Sequence, residues 1–170
     1  MAGATIVFCD IVGFSRHDNF TQERMIYDLS AEITHELYRY VSSPAPHIIS
    51  LPTGDGMALA FMDSVQNPID WRPIIFSLLD RLMRWSRERH QLRVGVHTGV
   101  VSIITDINRR PNICGAVINE CQRIMDAAQP NQILFSKEAF NAYIGNNMNQ
   151  YVNNPCSGPP KLDTILAVLS

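Results

Sequence analysis

The chain has 170 residues, 46% hydrophobic and 18% charged, which suits one globular domain with a sizeable core and leaves little room for a second. Its formal net charge of -2 gives no global field for nucleic acid, so no nucleic-acid partner is expected, and any polyphosphate must be held by local groups or metals. No apolar run reaches the roughly 20 residues of a membrane span, and Cys9, Cys114, Cys121 and Cys156 form no CxxC pair. With a strand at the start in place of a basic, then apolar, leader, the expectation is a cytoplasmic protein with no membrane partner.

Thr5 to Ser15, TIVFCDIVGFS, reads as a buried strand ending in a tight turn, with the lone carboxylate of Asp10 inside an apolar run. A buried unpaired carboxylate is costly, so Asp10 either caps the turn or meets a partner, for which a divalent cation is suited. From Phe20 to Val41 the spacing of Ile26, Leu29, Ile33, Leu37 and Tyr40 predicts an amphipathic helix, ended by Pro44 and Pro46. His47 to Leu51 and Met57 to Met62 read as strands joined by the turn Thr53-Gly54-Asp55-Gly56.

Pro68 suits the first turn of a second helix with Trp71, Ile74, Ile75, Leu78, Leu79, Leu82 and Trp85 on its apolar face. Its Arg81, Arg84, Arg87 and Arg89 are expected in solvent. Leu92 to Thr105 reads as two strands about a Thr98-Gly99 turn, followed by a polar loop from Asp106 to Pro111. Gly115 to Ala128 is a third helix with a core face of Val117, Cys121, Ile124 and Ala128. On another face Asn119 and Arg123, four apart, project together as an amide and a guanidinium. Gln132 to Ser136 reads as a strand and Lys137 to Ile144 as a short helix. Asn146 to Pro160 is a polar excursion, and Leu162 to Leu169 a closing strand. The order β-α-β-β-α-β defines a ferredoxin-like core with extensions, an α+β fold with helices packed on a mixed, mostly antiparallel sheet, over residues 1–170 as a single domain.

In that unit the end of the first strand can neighbour the tip of the hairpin, bringing Asp10 beside Asp55. Two carboxylates and a carbonyl form a hard-oxygen site that Mg²⁺ or Mn²⁺ prefers when a triphosphate completes the ligand set. Such a site suits two-metal phosphoryl transfer, and Arg123 is the candidate to meet charge on the transferred phosphorus.

Phe8 to Ser15, Thr53 to Gly56, Arg93 to Gly99 (RVGVHTG) and Gly115 to Asn119 running to Arg123 together resemble the class III nucleotidyl cyclase catalytic domains, in family order. The resemblance implies that Asp10 and Asp55 ligate two divalent cations, Mg²⁺ or Mn²⁺, with help from the Ile11 carbonyl. It implies further that amides from Val12 through Gly13 and Phe14 to Ser15 touch the triphosphate, that Arg93 binds it too, that Asn119 orients the ribose, and that Arg123 stabilises the pentavalent phosphorus. Asn119 and Arg123 come from the partner subunit in such proteins, so a symmetric homodimer with two composite sites is implied. The implied reaction turns a nucleoside triphosphate into a 3′,5′-cyclic nucleotide and pyrophosphate.

Adenylate cyclases of the family usually carry Lys and Asp or Thr at the purine-reading positions, and guanylate cyclases Glu and Cys. This chain has Leu51 and Asn112 there. Leu51 makes no hydrogen bond and narrows the space for a base, while the Asn112 amide can match uracil O4 and N3–H or read adenine. Tyr40, Arg109 and Arg110 are additional readers to consider. The chain also resembles the stand-alone pyrimidine cyclases of bacterial Pycsar antiphage systems, whose product activates a cyclic-nucleotide effector. The expected substrate is UTP, giving cUMP. The alternatives are an adenylate cyclase with an atypical base pocket and a non-catalytic nucleotide-binding dimer. A diguanylate cyclase would show a GG[DE]EF hairpin, which TGDG is not. Lys161 stands near the family's phosphate-holding lysine but at an imperfect offset, and is equally readable as a solvated residue. His97 is read as structural.

Overall fold

Thr5 to Ile11 is buried on both faces, and that decides the architecture: a strand with no solvated side must lie in mid-sheet with helices above and below. The computed structural model describes residues 1–42, 47–64, 69–145 and 165–169. The elements run β1 (Ala2–Ile11), α1 (Asn19–Tyr40), β2 (Ile48–Pro52), β3 (Gly56–Met62), α2 (Arg72–Glu88), β4 (Leu92–Thr105), β5 (Pro111–Cys114), α3 (Ala116–Ala127), β6 (Gln132–Ser136), α4 (Lys137–Phe140) and β7 (Ile165–Leu169). The sheet order is β2-β3-β1-β4-β6-β7, with β5 paired to β4 beyond the main sheet. β1 is antiparallel to both β3 and β4, whereas β6 runs parallel to β4 and β7 parallel to β6. This is the expected α+β fold with a mixed, mostly antiparallel sheet.

The core divides at the sheet. One cluster joins Val7, Cys9, Leu59 and Phe61 to the apolar faces of α1 and α2; the other joins Ile6, Phe8, Ala58 and Ala60 to Val117, Cys121 and Met125 of α3. The alternation along β1 sends odd residues one way and even residues the other. All seven apolar positions expected on α2 are buried.

Several expectations need correction. β4 is one unbroken 14-residue strand, so Thr98-Gly99 is no turn. Gly99 is there for space, because a Cβ on it would sit 2.6 Å from Val117 Cγ2 of α3. The expected loop ends at Pro111, where a further strand, Pro111 to Cys114, begins, and the bend before it is organised by Asp106, whose Oδ1 accepts from the N–H groups of Asn108 and Arg110, both at 2.8 Å. On α1, Met25 is buried where Ile26 was expected, and Tyr40 is exposed. Asp18 caps that helix by accepting from the Thr21 N–H at 2.9 Å. The proline in the first turn of α2 is Pro73, since the helix starts at Arg72. Arg81 is not simply solvated but reaches Glu32 and the buried Glu36 on α1. Pro44, Pro46, Pro68, Cys156, Lys161, the 146–160 excursion and the first residues of the closing strand lie outside the described residues.

Candidate active site

Register brings the chemistry-bearing groups together at one end of the three central strands. Asp10, second from the end of β1, is the cross-strand partner of Gly56 on one side and Arg93 on the other. Asp55 precedes Gly56 at the hairpin tip, and its carbonyl accepts the Ile11 N–H at 3.0 Å, which ties the two acidic positions into one backbone corner. The hairpin needs its glycines. Gly54 has φ +94°, and a Cβ on Gly56 would overlap the Cys9 carbonyl oxygen at 1.9 Å, so only glycine lets β3 approach β1 this closely.

Asp10 is 6% exposed. The partner it needs is present: Arg93 donates through Nε to Oδ1 at 3.1 Å and through Nη2 to Oδ2 at 2.5 Å, a bidentate pair. The same guanidinium donates to the Asp126 carbonyl at 3.3 Å, at the C-terminal end of α3. Hydrogen bonding to Asp10, then the charges of Asp10, Asp126 and Asp55, push the Arg93 pKa up against some desolvation. The sequence offers Asp10 a turn to cap or a cation to bind and does not point to an arginine on the next strand, and nothing in the sequence pattern marks Asp126.

After β1, Gly13 adopts φ +72° and starts the short turn Phe14–Arg16. The Val12 N–H already donates to the Gln91 carbonyl at 2.8 Å, which leaves the amides of Gly13, Phe14 and Ser15 from the expected phosphate-binding set. Asn119 and Arg123 lie exposed on α3, and among the described residues no hydrogen bond or ion pair joins either to Asp10 or Asp55. The helix that carries them is held tightly: a Cβ on Gly95 would stand 2.7 Å from Met125 N and 2.8 Å from Cys121 O.

Leu51 on β2 and Asn112 on β5 line one open groove of about 770 Å³, with Ser50, Asp106, Asn108 and Arg110. Asn112 Oδ1 accepts the Ile113 N–H at 2.7 Å. Because a backbone N–H only donates, this fixes the amide orientation, with the Nδ2 donor and the second lone pair of Oδ1 left for a ligand. Arg110 joins the groove, whereas Tyr40 and Arg109 are not among its lining residues. The buried thiols offer no nucleophile, since burial pushes Cys9 up to about 12 and Cys121 higher still.

Asp10, Asp55 and the Ile11 carbonyl are hard oxygen donors at one corner, the donor chemistry that suits Mg²⁺ or Mn²⁺. Among the described residues no group of three or more His, Cys, Asp and Glu side chains could hold a metal ion.

The family model for the adenylate and guanylate cyclase catalytic domain matches residues 1–155. The chain belongs to that family and is a class III nucleotide cyclase catalytic domain. No curated protein matches it. Among solved structures it is similar to the guanylate cyclase domain of RhGC from Catenaria anguillulae, determined with GTP, at 15% identity over 82% of this chain and 81% of that one, TM-score 0.65. It is also similar to the non-canonical dimeric guanylyl cyclase domain of RhoGC from Blastocladiella emersonii, at 15% identity over 86% and 85%, TM-score 0.66. A third similar structure is a Trypanosoma brucei adenylate cyclase in its monomeric state, at 16% identity over 89% and 80%, TM-score 0.64. At these identities the likeness carries the fold. Among the described residues no helix is long and apolar enough to cross a membrane.

Proposed function

We propose that this cyclase domain converts UTP to 3′,5′-cyclic UMP and pyrophosphate, as a cytoplasmic homodimer of single-domain chains with two composite sites. The observation that carries the catalytic part is the corner where Ile11 N–H meets the Asp55 carbonyl at 3.0 Å, which makes the two acidic positions neighbours. Asp10, Asp55 and the Ile11 carbonyl would hold two divalent cations, which supply acidity to the 3′-hydroxyl and charge neutralisation to the phosphates.

The chain's own groups do the rest. Amides of Gly13, Phe14 and Ser15 bind phosphate oxygens, and Arg93, turning from Asp10, binds the triphosphate. Asn119 of one protomer orients the ribose in its partner's site, and Arg123 beside it stabilises charge on the α-phosphorus during attack. The exposure of both residues, unbonded to the carboxylates of their own chain, supports delivery across the interface. The GTP held by the Catenaria domain and the dimer of the Blastocladiella domain are consistent with a triphosphate substrate and a paired assembly.

The base assignment rests on Leu51 and Asn112. With Oδ1 turned to the Ile113 N–H, the Asn112 Nδ2 donor suits uracil O4 and the second lone pair of Oδ1 suits uracil N3–H. Leu51 removes the polar partner a purine edge would need. The product then acts on a cyclic-nucleotide effector, as in the pyrimidine cyclases of antiphage systems that the chain resembles. Incubating the purified protein with ATP, GTP, CTP and UTP separately in Mn²⁺ and identifying products tests this. UTP is consumed fastest, and Asp10→Ala and Arg123→Ala each lower turnover by about 10³-fold or more. Preference for ATP would reverse the base assignment alone; tight nucleotide binding without any turnover would favour a binding module.

A further inference from the structure

His97 lies in mid-β4, buried, and both of its ring nitrogens are bonded across elements. Nε2 meets Glu120 Oε2 of α3 at 2.9 Å, and Nδ1 meets Ser136 Oγ at 2.8 Å. The donor toward Glu120 can be assigned. The Glu120 carboxylate only accepts, so Nε2 carries the proton. Ser136 Oγ already accepts the Ala139 N–H at 3.1 Å, capping α4, and the Glu138 carboxylate, 3.9 Å from Nδ1, shares that corner with it. Ser136 is 4% exposed and holds a helix end, so this Ser-His-Glu arrangement is no nucleophilic triad.

What the arrangement does hold is α3. Glu120 directly follows Asn119 and lies three residues before Arg123. The helix is seated on the sheet by Val117, Cys121 and Met125, and the His97–Glu120 bond ties to β4 the turn that carries Asn119 and Arg123. We propose that His97 is a positioning residue for cyclisation: through Glu120 it sets the rotation of α3 and hence the aim of Asn119 and Arg123. This rests on the reading that those two residues act at the transition state in the partner's site. A consequence is that His97 serves the partner's reaction although it sits in the strand next to its own Asp10.

The test is kinetic and uses the full chain. His97→Ala lowers kcat about tenfold and leaves KM within about twofold, because a misaimed Arg123 is missed at the transition state more than in substrate binding. His97→Gln, which keeps an N–H donor toward Glu120, recovers most of the rate. Glu120→Ala, at a half-exposed site where folding is not at stake, reproduces the kcat loss, and the double variant loses no more than either single one. Equal loss in kcat/KM through KM, or additive losses in the double variant, would overturn the proposal.

Mixed dimers give a second readout. His97→Ala chains recover activity when mixed with Asp55→Ala chains but not with Arg123→Ala chains. Recovery with Arg123→Ala would place His97 in the service of its own metal corner and sink the inference. The control pair, Asp55→Ala with Arg123→Ala, separates the two levels. If it fails to recover while the His97 and Glu120 losses remain non-additive, the shared-site reading falls and the positioning role stands.

Discussion

Asp10 has two claimants, and the competition between them is measurable. In this structure its two oxygens face Arg93 in a bidentate pair, and the same oxygens are the proposed ligands for a cation. A cation therefore binds against the arginine unless a triphosphate draws the guanidinium away. Arg93→Gln should tighten Mn²⁺ binding without nucleotide by about tenfold, roughly the charge–charge energy of a partly buried pair, read by the paramagnetic resonance of free Mn²⁺. Unchanged affinity would show that the pair does not compete. Asn112 offers a second residue-scale prediction: Asn112→Asp exchanges the free donor for an acceptor and, combined with Leu51→Lys, should raise the ATP to UTP ratio of kcat/KM at least about tenfold. The sequence made Asp10 conspicuous because a charge inside an apolar run demands explanation. It could not make Asp126 conspicuous, because a surface acid late in a helix looks the same whether or not a guanidinium reaches it.

Periodicity revealed the elements wherever burial imposed one face. The apolar face of α2 is legible in the sequence, since a stripe of seven large apolar side chains has one reading, although its first turn is not. β4 was misread for a physical reason: Thr-Gly inside a strand signals a turn when seen alone, and only the packing of α3 shows that the glycine makes room for Val117. The arginines of α2 were judged solvated from helical spacing, which does not register a buried acid on a neighbouring helix. Glu36 is fully buried and is bonded by Ser77, Arg39 and Arg81. Burial pushes its carboxyl upward, but those hydrogen bonds and the two guanidinium charges outweigh that and hold it below its ordinary value of 4.5. A lowered carboxyl pKa contributes stability that is complete above the ordinary value and vanishes as pH falls through the folded one. Arg81→Met should thus destabilise the protein by about 2 kcal/mol at pH 7 and by clearly less in acid. Thermal melts of both proteins at each pH would show it; a pH-independent difference would mean that Arg81 acts by packing alone.

At the scale of the whole molecule, the β4–β5 ribbon leaves the main sheet with Val100, Ile103, Ile104 and Ile107 exposed, while Asn119 and Arg123 lie exposed on a helix surface. An exposed apolar ribbon is costly in water, and under the proposed composite arrangement the two half-sites of one chain do no chemistry apart. A second copy answers both, so specific activity should depend on concentration: falling on dilution as dimers dissociate, and doing so earlier in a variant that weakens the ribbon. Ile103→Glu puts a charge on that surface without touching a proposed site residue. It should shift the sedimentation profile towards the monomer and lower activity at a given concentration, while raising the concentration recovers the rate. If the variant keeps full activity per chain down to concentrations where sedimentation shows only monomer, then one chain completes its own site and the composite arrangement is wrong.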